Sequence, residues 1–196
     1  MREENVEHSR RDSVLQVAKR FDPEPAHSQR VCHLALRLFD ETAELHQLDS
    51  DSRELLEYAC VLHDIGWSGS QTKHKRRSYD MIKSASLDGF SDAEKEIIAS
   101  VARYHGVKPP KKKHTWNEVL SPRDKKKVRY LSAIIQVADA LDRTHTDAVQ
   151  DINCSIKKKK IVLSLATSHP PDEELLALSR KKKYFEEIFE RKLKTV

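Results

Sequence analysis

The chain has 196 residues, with 36 Lys+Arg against 31 Asp+Glu, a formal net charge of +5 and only 4 glycines. That length suits one domain with a sizeable core, and the scarcity of glycine excludes P-loop and dinucleotide-binding loops, which need several glycines in a short span. The longest apolar runs are too short to span a bilayer and no charged-then-apolar leader opens the chain, so a soluble, cytoplasmic protein with no membrane partner is expected.

Residues before Ser9 are polar and expected to fray. From Asp12, the pattern Val14, Leu15, Val17, Ala18, Phe21 predicts a short amphipathic helix ended by Asp22-Pro23-Glu24-Pro25. A longer helix follows from about Pro25 to Leu45, with Val31, Leu34, Ala35 and Leu38 as its apolar stripe. His27 shares that stripe, and His33 points elsewhere. Ser50 to Ser52 offer N-caps for a helix carrying Leu55, Leu56, Ala59 and Leu62 inward, and His63 continues its buried face. Gly66 lets the chain leave this helix at once, so that His63 and Asp64 can converge on one point.

After a loop over 67–73, a helix is expected near Ser78 to Ala85, broken by Leu87-Asp88-Gly89-Phe90. Ser91 and Glu94 form a capping box for a helix from Asp92 to Tyr104, whose stripe Ile97, Ile98, Val101 leads to His105. Gly106 to Leu120 reads as a long loop able to cover a site. Ser121-Pro122 starts a helix of about 20 residues, with Val128, Leu131, Ile135 and Ala138 inward, Asp139 in phase and Asp142 nearby. Asp151 to Ile156 and Ile161 to Thr167 read as a hairpin. A last helix begins at Pro171-Asp172, its apolar positions including Tyr184, Phe185, Ile188 and Phe189, which predicts intrachain packing or a homodimer contact.

Cys32, Cys60 and Cys154 lack Cys-x-x-Cys spacing and read as small core residues of a reducing compartment. Basic clusters recur at 73–77, 111–113, 125–127, 157–160 and 180–183, and such runs concentrate polyanions. His27, His63 with Asp64, His105 and Asp139 each occupy one position of an otherwise apolar stripe. Carboxylates are rarely buried unless paired or bound to cations, so the set predicts a metal centre. Imidazole and carboxylate without thiolate suit Mn, Mg, Fe, Ni or Zn, and a centre with few protein ligands keeps open positions, the mark of catalysis.

These residues carry a resemblance. His27, His63-Asp64 and Asp139 resemble the HD superfamily of metal-dependent phosphohydrolases. The segments His27-Ser28-Gln29-Arg30-Val31, Leu62-His63-Asp64-Ile65-Gly66 and Ala138-Asp139-Ala140-Leu141-Asp142-Arg143-Thr144-His145 are similar to the C-terminal HD domain of exopolyphosphatase and guanosine pentaphosphate phosphohydrolase proteins. The resemblance covers about Ser13 to Leu193 and implies a mainly α fold: an HD-domain helical bundle with a small C-terminal β-hairpin and a final helix. Divided accordingly, 1–22 form an arm and short helix, 23–145 the core, and 146–196 the hairpin and last helix packed on it.

The resemblance implies His27, His63, Asp64 and Asp139 as metal ligands, Asp64 able to bridge two ions, and His74 with His105 as a second set. Relatives often carry two adjacent histidines where this chain has His74-Lys75. It implies hydrolysis of a phosphate ester or anhydride in a nucleotide, guanosine polyphosphate or polyphosphate, with Asp64 and Arg143 as catalytic candidates. Lys75, Arg76, Arg77, Arg103, Lys111 and Arg143 are candidate phosphate contacts. The alternative is a non-catalytic polyphosphate- or RNA-binding module with a structural or vestigial metal site.

Overall fold

The computed structural model describes residues 2–67, 73–111 and 113–196, with side chains from Ser9 onward. Residues 68–72 of the loop expected after Trp67, and Lys112 of one lysine run, lie outside the described residues. In chain order come α1 (Arg2–Phe21), α2 (Pro25–Glu41), α3 (Ala43–His46), α4 (Ser50–Leu62), α5 (His74–Ser84), α6 (Asp92–Arg103), α7 (Trp116–Val119) and α8 (Pro122–Ala140). Then follow β1 (Val149–Ile156), β2 (Lys160–Thr167), α9 (Asp172–Phe189) and β3 (Lys192–Thr195). The protein is therefore mainly helical with a small sheet. No described helix is long and apolar enough to cross a membrane.

Several boundaries differ from the sequence reading, each for a local reason. α1 starts at Arg2, across the segment expected to fray, because the added residues are mostly Glu and Arg, which favour helix without needing a buried face. The helix expected to reach Leu45 breaks at Thr42. There Oγ1 donates to Leu38 O at 2.6 Å and the backbone leaves helical geometry at φ −108°. α4 is capped by Asp49, which accepts from Ser52 N at 3.0 Å. α5 begins at His74 rather than near Ser78, preceded by Lys73 in left-handed geometry at φ 67°. The capping box of α6 is present, with Glu94 accepting from Ser91 N at 2.8 Å.

Helices α2, α4, α6 and α8 pack around fully buried Leu34, Leu38, Leu56, Leu62, Ile98, Leu131 and Ile135. α9 lies against α8, where Phe185 is fully buried and stacks on Phe189 with ring centroids 4.1 Å apart. Burying such a ring contributes about 1.5–3 kcal/mol. The hairpin pairs Ile156 with Ile161 in antiparallel register, and β1 rests on α2, where Arg37 Nε donates to Asp151 at 3.1 Å. The strand β3, absent from the sequence reading, pairs parallel to β2 after Glu190 reverses the chain at φ 53°. The three cysteines are free, with Cys60 buried and the other two half-buried.

Gly66 has a different reason from the one expected. Its φ is not positive; instead α5 crosses so closely that an added Cβ would lie 2.3 Å from Ser78 N and 2.6 Å from His74 O. Gly66 N also donates to Ser78 Oγ at 3.0 Å. The missing side chain brings the start of α5, and hence His74, beside the end of α4.

Candidate metal centre

The core helices place their polar residues at one end of the bundle. His27 lies in the first turn of α2, His63 at the end of α4 with Asp64 following, His74 at the start of α5, His105 just past α6 and Asp139 in the last turn of α8. All are buried except Asp64, which is half-buried. His33, out of phase, is exposed and meets Asp151 at 3.2 Å.

Hydrogen bonds fix the tautomers of His27, His63 and His105. His63 Nδ1 lies 2.7 Å from Cys60 O, and His105 Nδ1 lies 2.6 Å from Ala102 O. A carbonyl only accepts, so each Nδ1 carries the hydrogen and, in a neutral ring, Nε2 keeps a lone pair. His27 Nδ1 likewise donates to Asp142 Oδ2 at 2.8 Å. Yet His27 Nε2 and His63 Nε2 are 3.3 Å apart, and so are His74 Nε2 and His105 Nε2. Burial holds His63 below the usual imidazole pKa and His105 well below it, so each of these two rings keeps an Nε2 lone pair turned towards its neighbour. A divalent cation is a group that both rings of a pair can share.

Carboxylates complete both pairs. Asp139 Oδ1 is 3.6 Å from His27 Nε2 and 3.8 Å from His63 Nε2, and Asp64 Oδ2 is 3.6 Å from His63 Nε2. Asp64 Oδ1 is 3.6 Å from His74 Nε2 and 3.5 Å from His105 Nε2. Donors bonded to one ion at about 2.1 Å stand about 3.0 Å apart at a right angle and about 3.4 Å apart at a tetrahedral one. The observed separations are compatible with two donor sets, slightly wide, around divalent cations. Asp64 Oδ1 is buried without a hydrogen-bond partner, as a ligand atom would be. His46 supplies the contrast: equally buried, it has both ring nitrogens engaged, Nε2 with Phe39 O at 2.9 Å and Nδ1 with Leu48 N at 2.9 Å. That histidine is structural.

The centre opens into a cavity of about 310 Å³ whose walls include Trp67, Lys75, Arg143, His145 and Lys181. The Lys181 ammonium, brought in by α9, contacts Asp139 Oδ2 and lies 3.5 Å from His105 O. Burial pulls the pKa of Lys181 and of Lys75 below the usual lysine value, while nearby carboxylate charge favours their ammonium forms. His145 stacks on His27 at 3.9 Å and meets Glu24 at 2.8 Å.

The candidate phosphate contacts divide. Lys75 and Arg143 line this cavity. Arg103 and Lys111 instead line an adjoining groove. Arg76 is 71% exposed, lines that groove and faces Asp80 at 3.7 Å, while Arg77 Nε donates to Gly66 O at 2.8 Å and so braces the α4 exit. Asp142, His145 and Lys181 were not among the residues singled out from sequence. Asp142 had a signal, since it follows Ala138 by one helical turn; Lys181, within a basic run, had none.

A model of the Ppx/GppA phosphatase domain III family matches residues 9–183. The match takes in both donor sets, the hairpin and most of α9. With nearly the whole chain covered, the protein belongs to the Ppx/GppA phosphatase, domain III family.

Proposed function

We propose that the chain is an HD-type, divalent-metal-dependent phosphohydrolase acting on a phosphate ester or anhydride of a nucleotide, guanosine polyphosphate or polyphosphate. The observation that carries this reading is the pair of opposed Nε2 contacts, each 3.3 Å, joined by the two oxygens of Asp64. Divalent ions held there would lower the pKa of a bound water and polarise a phosphoryl oxygen. The chain's own residues supply the rest. Asp142 orients His27, Asp64 links the two donor sets, and Lys75, Lys181 and Arg143 offset charge on the transferring phosphoryl group. The donor sets face a cavity rather than being closed off by protein, which favours catalysis over a purely structural metal.

The test is metal analysis of the purified chain together with a hydrolysis screen over nucleotides and polyphosphates, comparing wild type with Asp64→Ala. Bound metal and turnover in wild type, both lost in the variant, support the reading. Absence of stoichiometric metal with equal inertness of the two proteins would sink it.

A further inference from the structure

Asp139 divides its oxygens between two kinds of partner. Oδ1 faces His27 Nε2 at 3.6 Å and His63 Nε2 at 3.8 Å, in the first donor set, while Oδ2 is held by the Lys181 ammonium. The same ammonium lies 3.5 Å from the backbone oxygen of His105, a member of the second set. Lys181 thus touches one residue of each set. A positive charge there opposes the binding of a divalent cation, because like charges a few ångströms apart repel strongly where little water screens them. The Lys181 and Asp139 side chains are only 14% and 12% exposed. For holding an ion alone, a lysine at this place is counterproductive.

The placement is nonetheless built, because α9 is anchored on either side of Lys181. Towards the start of the helix the buried Glu174 accepts from Thr144 N at 3.0 Å and from the Thr144 hydroxyl. Towards its end Phe185 is fully buried against α8. The lysine is therefore delivered to the cavity wall rather than left in solvent. An ammonium has three donors. Asp139 Oδ2 and His105 O take two of them, and the third has no hydrogen-bond partner among the described residues. An anion in the cavity gains from this charge what a lone metal ion loses to it.

We propose that Lys181 is a positioning residue that couples metal loading to anion binding. In the absence of an anion it takes one oxygen of Asp139 and weakens the hold of the donor sets on a divalent cation. Once an anion lies against it, the negative charge offsets the ammonium and the ion is held more tightly. Metal and anion then bind cooperatively, each raising the affinity for the other by the same factor. This rests on the divalent metal of the proposed function and not on turnover.

Isothermal titration of the full chain with Mn²⁺, with and without inorganic phosphate, compares wild type with Lys181→Met, Lys181→Gln and Lys182→Met. Without phosphate, both neutral variants at 181 are expected to bind Mn²⁺ about tenfold more tightly than wild type, a coupling of ordinary size. The gain in Mn²⁺ affinity on adding phosphate is expected to shrink by a similar factor. Lys182 donates to Leu193 O at 3.3 Å, away from the donor sets, and its replacement is expected to change neither quantity. Lys181→Gln keeps a donor for Asp139 and carries the test if the Met variant folds poorly. Loss of packing alone would weaken metal binding and not tighten it. The coupling is overturned if the neutral variants bind Mn²⁺ no more tightly than wild type, if the gain with phosphate is the same in all the proteins, or if Lys182→Met acts as strongly. A wild type that takes up no Mn²⁺ under either condition counts against the proposed function. In that case a neutral variant that does bind the ion still upholds the role of Lys181, and variants that bind none overturn it.

Discussion

His74 Nε2 and His105 Nε2 face each other across 3.3 Å, and Asp64 Oδ1 closes the triangle at 3.6 and 3.5 Å. The three atoms come from the start of α5, the end of α6 and the turn after α4. This triangle is separate from the His27 and His63 pair except for Asp64, which gives an oxygen to each. Metal stoichiometry is therefore expected to fall in steps. Wild type binds two equivalents of a divalent ion, His74→Ala or His105→Ala keeps one, and Asp64→Ala loses affinity at both sets. Elemental analysis with calorimetric titration reads this out. Two equivalents retained by both histidine variants would remove the second set from consideration.

Gly66 tests whether that second set depends on how α5 is seated. A Cβ there would meet backbone atoms of Ser78 and His74 at 2.3 and 2.6 Å, and a backbone cannot rotate aside as a side chain does. Gly66→Ala is expected to destabilise the chain by about 2 kcal/mol, in the range of core overpacking. It should displace His74 and lose the second metal equivalent while the first persists. Gly89→Ala is the control. That glycine sits at φ 77°, so the substitution costs stability without touching either donor set.

Much of this arrangement was legible in the sequence because helical phase is a local property. Val31 and Leu34 fix which face of α2 is buried, and that face contains His27 and excludes His33. Ile135 and Ala138 do the same for Asp139 and Asp142. Lys181 was not legible. In the run from Arg180 to Lys183, successive side chains turn about 100° around the helix, and only the docking of α9 on α8 decides which lysine enters the site. The strand β3 escaped for a similar reason: it has four residues, with Leu193 alone buried, and its pairing with β2 is made across the whole of α9. The break at Thr42 depends on one hydroxyl turning back to Leu38 O, which apolar periodicity does not register.

Acid should unfold the metal-depleted chain earlier than its carboxylates alone imply. Burial lowers the pKa of His63 and His46 and puts that of His105 well below the usual imidazole value. The unfolded chain therefore takes up protons that the folded chain refuses. The stability contributed by the neutral rings is fully present above about pH 6.5 and is lost progressively as pH falls towards the depressed folded values. Between about pH 7.5 and 5.5 the chain is therefore expected to lose stability, His105 contributing more than His63 because its pKa is lowered further. Urea unfolding of chelator-treated protein at the two pH values measures it. An unchanged midpoint would mean that the folded and unfolded chains take up the same number of protons over this range, and the buried rings would not be the source of acid sensitivity. Metal-loaded protein should lose stability more steeply over the same range, because protons then also displace the ion.

Asp142 makes the complementary prediction for the first donor set. Its Oδ2 accepts from His27 Nδ1 at 2.8 Å, and the carboxylate is almost wholly buried. That contact holds the ring with Nε2 aimed at His63 and raises its strength as a donor. Removing it should therefore act on the metal through His27 alone. Asp142→Ala is expected to weaken the first equivalent of metal about 10–100-fold, the usual effect of losing such an orienting partner, while the second equivalent at His74 and His105 is unchanged. Asp142→Asn should recover part of the affinity, because its amide oxygen can still accept from Nδ1 but carries no charge. Titration of the three proteins with the same ion decides the matter. If Asp142→Ala leaves the first equivalent as tight as in wild type, the carboxylate serves only to satisfy a buried ring. If it weakens both equivalents alike, the two donor sets do not act independently, and Asp64 transmits the loss between them.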